Sequence, residues 1–511
     1  MTAVTGIESG LAVANGGLYA ITQALSVISQ NVANASTPSY AAEVSNQQSL
    51  SAGGVAMGVR VLSTTLDVNT ALQNQLLTQN AASAALTTTQ TALQAIDPVL
   101  GTPGSGTDLA SMLGKLTDAF TTLSNDPSNQ TQQTAVVTAS GNLAQSINTL
   151  AAAYAQQRQN AQDAIVSEVS TLNTTLATVG ALNGQIVALQ AAGQSTADLQ
   201  NQRNAAVQTL SGLVSVVQVP QTNGGLLLYS ASGVQLPTTG GTPFTTSDAT
   251  IGATSTYPGS GIPGIMCGGV DVTAGLAGGQ IDANVALRDT TLPTDQAELD
   301  ELAQGLASRF DAQGLRLFSD PTGAVPASGG TPAQTGYVGF SATIQVNPAV
   351  LANNALVRDG TQAVAGSPTG ASAFTPNPPG GPAGFDTLIN RVLDYALGDQ
   401  AQDGVAQPAF NTTGMGATGT LSAPYAAPGT LAALAGDLVA TQAAQSSQTT
   451  AQASTATALQ TSLQNKLSGT SGVNIDAEMS LMIELQNAYG ANAHIINAAQ
   501  AMWNDLMQAV Q

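Results

Sequence analysis

Near the N-terminus, apolar residues fall at Ile7, Leu11, Ala14, Leu18, Ile21, Leu25, Ile28 and Val32, in steps that alternate between four and three. That alternation is the spacing of a coiled-coil seam. The far end repeats it through Ile475, Met479, Met482, Gln486, Tyr489, Ala493, Ile496, Gln500, Trp503, Met507 and Val510. A second stripe lies beside it: Leu481, Leu485, Ala488, Ile495, Ala499, Met502 and Leu506. A helix with an apolar face that wide needs partners on more than one side. The pattern predicts terminal helices that pair with each other and with neighbouring copies, as in an assembly subunit.

Between the ends the texture changes twice. The first helix is expected from Ile7 to Ala33, closed by Asn34 and by Pro38, which biases Thr37 away from helix. Residues 43–61 read as short and extended. Helices are expected over 66–96, stopped at Asp97-Pro98, and over 109–123, stopped at Asn125-Asp126-Pro127. The longest regular segment, about 132–190, would reach roughly 90 Å at 1.5 Å per residue, with Gly180 and Gly184 as bending points. Ser195-Thr196-Ala197-Asp198 resembles a capping box opening one more helix that stops near Gly212. From Leu213 onward, Val-rich and Leu-rich runs separated by Asn223-Gly224-Gly225 read as strands in a Gly-, Pro- and Thr-rich region. Helices at 294–311 and 385–397 interrupt it. After Pro428 the chain is helical to about Leu467, breaks at Ser468–Gly472, and restarts with Asn474 as N-cap. The fold class is therefore multidomain and mainly α. Long helical-bundle or coiled-coil segments from both ends flank an inserted β-rich central region.

Composition narrows the functional classes. Only 8% of the 511 residues are charged, against roughly 25% in typical soluble domains, and thirty acidic residues outnumber ten basic ones. With a net charge of −20, a nucleic-acid or anionic-membrane surface is not expected. The absence of Lys or Arg before Arg60 removes the basic start of a secretory signal peptide, and no uninterrupted apolar run approaches about 20 residues. One cysteine, Cys267, excludes an intrachain disulfide.

Candidate chemistry is sparse. His494 is the single histidine and its neighbours Ile495 and Ile496 are apolar, so packing is the expected role and no zinc site of familiar spacing can be assembled. Cys267 lies in a Gly-rich stretch without a nucleophile motif. Asp295, Glu298, Asp300 and Glu301 read as a solvated helix start favoured by the helix dipole. The glycines from Gly101 to Gly106 lack the Lys-Ser/Thr ending of a phosphate-binding loop. Neither enzymatic activity nor a cofactor is expected.

Two terminal motifs carry a family resemblance. The run Ser29 to Tyr40, with Asn31, Ala33, Asn34, Thr37, Pro38 and Tyr40, resembles the N-terminal signature of bacterial flagellar axial proteins, the rod, hook and junction subunits. Asn474 to Met479, with Asn487 to Ala493, is similar to their C-terminal signature. Two internal segments resemble the hook-associated protein 1 family of hook–filament junction subunits: Asp198 to Asn204 leading into Leu210 to Val214, and Arg288 to Pro293 followed by Arg309 to Gln313. Ser39 stands where the family usually has Gly, and Ala41-Ala42 replaces a polar, Arg-containing pair.

The resemblance implies a structural subunit joining hook to filament, outside the cell in the flagellum, exported by the flagellar type III apparatus without a cleaved signal. The implied partners are copies of itself in a ring, the hook protein, the second hook–filament junction protein and an export chaperone. Residues 1–40 and 475–511 are expected to form the inner assembly region, 41–212 and 428–474 a helical rod, and 213–427 the inserted β-rich domain. The expected interface residues are Ile7, Leu11, Leu18, Ile21, Leu25 and Ile28, opposite Leu485, Tyr489, Ile495, Ile496, Met502, Trp503 and Leu506. A hook or rod subunit, and an extracellular adhesin or glycan-binding protein, are the alternatives.

Overall fold

The computed structural model describes residues 2–52, 55–238 and 243–509. The terminal heptads become α1 (Thr2–Asn34) at the start and a last helix (Ile475–Ala509) at the end, and the two pack together. After α1, two strands β1 (Glu43–Val44) and β4 (Thr65–Leu66) pair antiparallel. They enclose a hairpin of β2 (Gln47–Ala52) and β3 (Val55–Val61), with Gln48 opposite Arg60. The hairpin lies along α1, where Gln47 Nε2 donates to the Ala20 carbonyl at 3.5 Å.

Four helices follow: α2 (Thr70–Leu100), α3 (Leu109–Asn125), α4 (Gln130–Ala191) and α5 (Ala197–Leu213). Side-chain acceptors close the open amides at three starts. Asn69 accepts from Leu72 N, Asp108 from Ser111 N, and Asn129 from Thr131 N and Gln132 N. At α5 the capping box does not form. Thr196 makes no cap bond, and its hydroxyl instead accepts from Gln200 Nε2 at 2.9 Å.

The central region builds only small sheets. β5 (Val216–Pro220), β6 (Leu226–Ser230) and β7 (Gln235–Leu236) form one, and β8 (Phe244–Thr245), β9 (Met266–Cys267) and β10 (Val270–Asp271) another. Between and after them come α6 (Gly279–Ala286), α7 (Leu292–Ala312), and the short helices α8 (Pro348–Ala352), α9 (Leu356–Asp359) and α10 (Thr387–Arg391). The return is made by α11 (Leu431–Ser471), which runs antiparallel to α2 and leads to α12 (Ile475–Ala509). Gln79 Nε2 donates to the Ala456 carbonyl at 2.9 Å, and Gln460 Nε2 to Asn80 Oδ1 at 2.9 Å.

Several expected boundaries move, each for a local reason. α2 passes through Asp97-Pro98, because a proline in the last turn removes only one hydrogen bond. α11 runs on to Ser471, anchored there by tertiary bonds: Ser471 Oγ accepts from Asn69 N and its carbonyl from Ala42 N. The helix expected at 294 begins at Gly279 and passes through one wide π turn (Leu287–Thr291), just beyond which Pro293 is accommodated. α4 is continuous across Gly180 and Gly184. Gly180 instead lets the Thr238 carbonyl approach the helix backbone where a Cβ would collide with it.

Two apolar cores are strung along α4. One gathers α3, α4 from Val136 to Ala161, α7 and the start of α11. The other gathers α4 from Ile165 to Val179, α5, α6 and strands β5 to β9. The acidic residues of α7 correct the expectation of a solvated helix start. Asp295, Glu298, Asp300 and Glu301 are all buried, because α7 is enclosed by other elements on every side.

Candidate assembly interface

The two terminal helices run antiparallel, so the N-terminal motif meets the C-terminal one. Asn31, 1% exposed, is where they join. Its Nδ2 donates to Glu478 Oε1 at 2.8 Å and to the Glu43 carbonyl at 2.9 Å. Its Oδ1 accepts from Glu43 N at 2.9 Å and from Tyr40 Oη at 3.2 Å. One amide thus fixes the turn after α1, strand β1 and the first turn of α12. Asn34 caps its own helix end, donating to the Gln30 carbonyl, and accepts from Thr37 Oγ1. Ala33, Thr37 and Pro38 are exposed.

The turn itself is of the left-handed type that favours glycine, and here Ser39 adopts it at φ 65°. The Ser39 hydroxyl is bonded to Gln208 Oε1. Asn201, from the first internal motif, grips the next residue twice: it accepts from Ala41 N and donates to the Ala41 carbonyl, both at 3.0 Å. Burial and then the Asp198 carboxylate push the Glu43 carboxyl up. Burial and then Glu43 hold the Tyr40 phenol well above its usual range.

Along the helix pair, Ile21 and Ile28 are buried, while Ile7, Leu18 and Leu25 are half-buried and Leu11 is exposed. The α1 face that is most covered carries small residues that the heptad reading passed over: Ala20, Ala24 and Val27, at intervals of four and three. Small residues allow close approach. Gly17 sits where a Cβ would lie 3.3 Å from Asn492 Oδ1.

On α12, Met482, Leu485, Ala488, Asn492, Ile496 and Ala499 form the half-buried stripe toward α1. Tyr489, Ile495, Met502 and Trp503 are exposed, and the Leu506 side chain lies outside the described residues. Exposed apolar residues flank the stripe on both sides, with Leu481, Ile495 and Met502 on one and Ile475, Met479 and Ile483 on the other. A groove of about 420 Å³ separates the ends of the pair, bounded by Ile7, Leu11, Ala499 and Trp503. By length and composition, residues 6–34 of α1 are apolar enough to cross a membrane, with a mean hydropathy of 1.4 over the best window. No unbroken run of the sequence signalled this, because Gly, Ser, Thr and Gln interrupt it.

The arginines of the two internal motifs are structural anchors. Arg203 Nη1 donates to Asn183 Oδ1 and to the Gly224 carbonyl, both at 2.8 Å, tying α5 to α4 and to the β5–β6 turn. Arg288 is fully buried, doubly bonded to Asp289, and donates to Gln162 Oε1 at 2.6 Å. Arg158 on α4 reaches the carbonyls of Arg288, Gly252 and Ser255.

The buried acids of α7 organise the loops around it. Asp300 accepts from Gly339 N and from Ser341 N and Oγ, and burial still raises it to about 6. Glu301 accepts from Tyr337 Oη at 2.6 Å and Asn411 N at 2.8 Å. Glu298 accepts from Gln442 Nε2 at 3.4 Å; burial raises Asp295 to about 7 and Glu298 to about 8, with the Asp295 charge adding to the second. Among the described residues, no group of three or more His, Cys, Asp or Glu side chains is placed to hold a metal ion. His494 is exposed on α12, and Cys267 is half-buried in β9.

Comparison with known proteins matches these features. Residues 93–323, which include both internal motifs, match the model of the flagellar hook-associated protein FlgK helical domain. Residues 467–509, which include α12, match that of the flagellar basal body rod FlgEFG protein C-terminal region. Flagellar hook-associated protein 1 of Escherichia coli is 24% identical over 96% of this chain and 98% of that protein. The Bacillus subtilis protein of the same name is 27% identical over 45% of this chain and 48% of that protein, so this match spans about half its length. The flagellar hook junction protein FlgK from Burkholderia pseudomallei has a TM-score of 0.41 at 24% identity, covering 50% of this chain and 47% of that one. With family models matching its helical body and its terminal helix, and with a curated relative aligned over nearly its whole length, the chain is similar to flagellar hook-associated protein 1.

Proposed function

We propose that the chain is a structural subunit of the bacterial flagellum that joins hook to filament, assembling through its terminal helices. The observation that carries this is the pair of uncovered apolar flanks on α12. α1 covers one stripe, and what remains exposed on either side suits one neighbouring copy on each. A ring built this way would set residues 1–40 and 475–511 innermost, residues 41–212 and 428–474 as the rod around them, and residues 213–427 outermost. The hook protein would lie below and the second junction protein above, after type III export with a chaperone bound near the C-terminus. The export route and these partners rest on the resemblance to flagellar hook-associated protein 1.

The test replaces one interface residue on each helix. Leu25→Asp and Ile496→Asp should each leave a soluble chain whose central region is folded by circular dichroism, yet one absent from isolated flagella. Normal incorporation of either variant would overturn the interface. A rod or hook subunit is the second reading, favoured by the C-terminal match to rod proteins. Spontaneous growth of the purified chain into long tubes would support it over the junction reading.

A further inference from the structure

We infer that a groove between α2, α4, α5 and α6, lined by neutral side chains apart from Glu168, receives the outer face of α11 from a second copy of this chain. This rests on the self-assembly proposed above and specifies a contact remote from the terminal helices. The groove encloses about 1270 Å³. Its walls carry hydroxyls, amides and alanines, such as Thr88, Ala164, Ala205 and Gln208. Glu168 is its one ionisable lining side chain. Oε1 of that residue accepts from Asn284 Nδ2 at 2.8 Å, while Oε2 is buried without a hydrogen-bond partner. Burial raises its carboxyl to about 7. An anionic occupant would find no counter-ion here and a cationic one only the single, buried Glu168, so the groove suits a neutral surface with small side chains and a hydrogen-bond donor.

This chain presents such a surface. No charged residue occurs between Leu438 and Asn465, and the outer face of α11 exposes Gln448, Ala451, Thr455, Leu459 and Ser462 at helical spacing. Leu459 is the one large apolar side chain exposed on α2, α4, α5 or α11 among the described residues. The groove wall from Asn80 to Thr91 spans about three helical turns, the length of ridge it would hold. Groove and ridge lie on different sides of α11, since Thr457 and Gln460 line the groove. The contact is therefore head-to-tail, and such contacts propagate around a ring when the rotation closes. Pro38 and Ser39 line the groove as well, so it is continuous with the turn that follows α1.

Two full-length chains, both carrying Cys267→Ser, would be co-expressed in flagellated cells lacking their own copy. One would carry Thr88→Cys and the other Thr455→Cys. Mild oxidation of isolated flagella should give a two-chain species whose disulfide maps to 88–455. Flagella that contain both chains without that link would overturn the inference, and so would a link joining 88 to 88. Thr88→Trp and Leu459→Glu, with the termini intact, provide a second readout and should abolish incorporation. If both incorporate normally while Leu25→Asp does not, the groove contact is wrong and the terminal interface stands. If Leu25→Asp incorporates while the groove variants fail, the terminal interface is wrong instead.

Discussion

Asn31 and Glu478, 447 positions apart, meet through a 2.8 Å hydrogen bond, with the same Asn31 amide holding both backbone groups of Glu43. Alanine at this position would leave buried Glu43 backbone groups unpaired, at a cost of about 1–3 kcal/mol. Asn31→Ala should therefore loosen the start of α12, read as faster amide hydrogen exchange over residues 475–490. Protection within α4 should be unchanged. Asn31→Asp should loosen it further, because it sets a second carboxylate against Glu478.

The buried acids of α7 make stability depend on pH in a defined direction. In the unfolded chain Asp and Glu ionise near pH 4. Folded, Asp295 rises to about 7 and Glu298 to about 8. Between those limits the folded state binds more protons, so stability falls as pH rises from about 4 to about 8 and levels off above. The thermal midpoint should be higher at pH 5.5 than at pH 8.5. Glu298→Gln should flatten that slope, while an unchanged slope would mean the pair is not the source.

Two glycines of α4 that sequence alone would treat alike should behave oppositely. Helix propensity favours Ala over Gly by about 1 kcal/mol at an interior position. At Gly184, where space is open, Gly184→Ala should gain up to about that amount. At Gly180 the new methyl would collide with the Thr238 carbonyl, and Gly180→Ala should lose about 1–3 kcal/mol instead. Urea denaturation of the two variants side by side checks the contrast.

Ser39 holds a left-handed backbone while its hydroxyl bonds to Gln208. Ser39→Gly relieves the backbone and loses the bond, so its stability should remain within about 1 kcal/mol of the parent. Ser39→Val loses the bond and adds β-branching at positive φ, and should cost about 2 kcal/mol or more. Denaturation midpoints distinguish the two.

What was legible in the sequence was local. Asn474 caps α12 as its position suggests, accepting from Asp476 N and Ala477 N, and the strands around Asn223-Gly224-Gly225 pair as a hairpin. The acids of α7 were illegible because their partners Tyr337, Ser341 and Gln442 come from distant segments that enclose the helix. Helix ends were misplaced where tertiary bonds extended them, as Ser471 does for α11. In the candidate site, the heptads marked both helices, but the Ala20–Ala24–Val27 face depended on where the β2–β3 hairpin folds back. Asn31 stood out within its motif and Asn201 lay inside the first internal motif, whereas Glu43 carried no signal.

α4 spans 62 residues and serves both cores, Val136 to Ala161 in one and Ile165 to Val179 in the other, without an intervening loop. It therefore acts as a single beam of about 90 Å. Twisting one core against the other would have to strain a continuous ladder of backbone hydrogen bonds instead of turning a linker. That makes the body a stiff coupling and leaves compliance to its two ends.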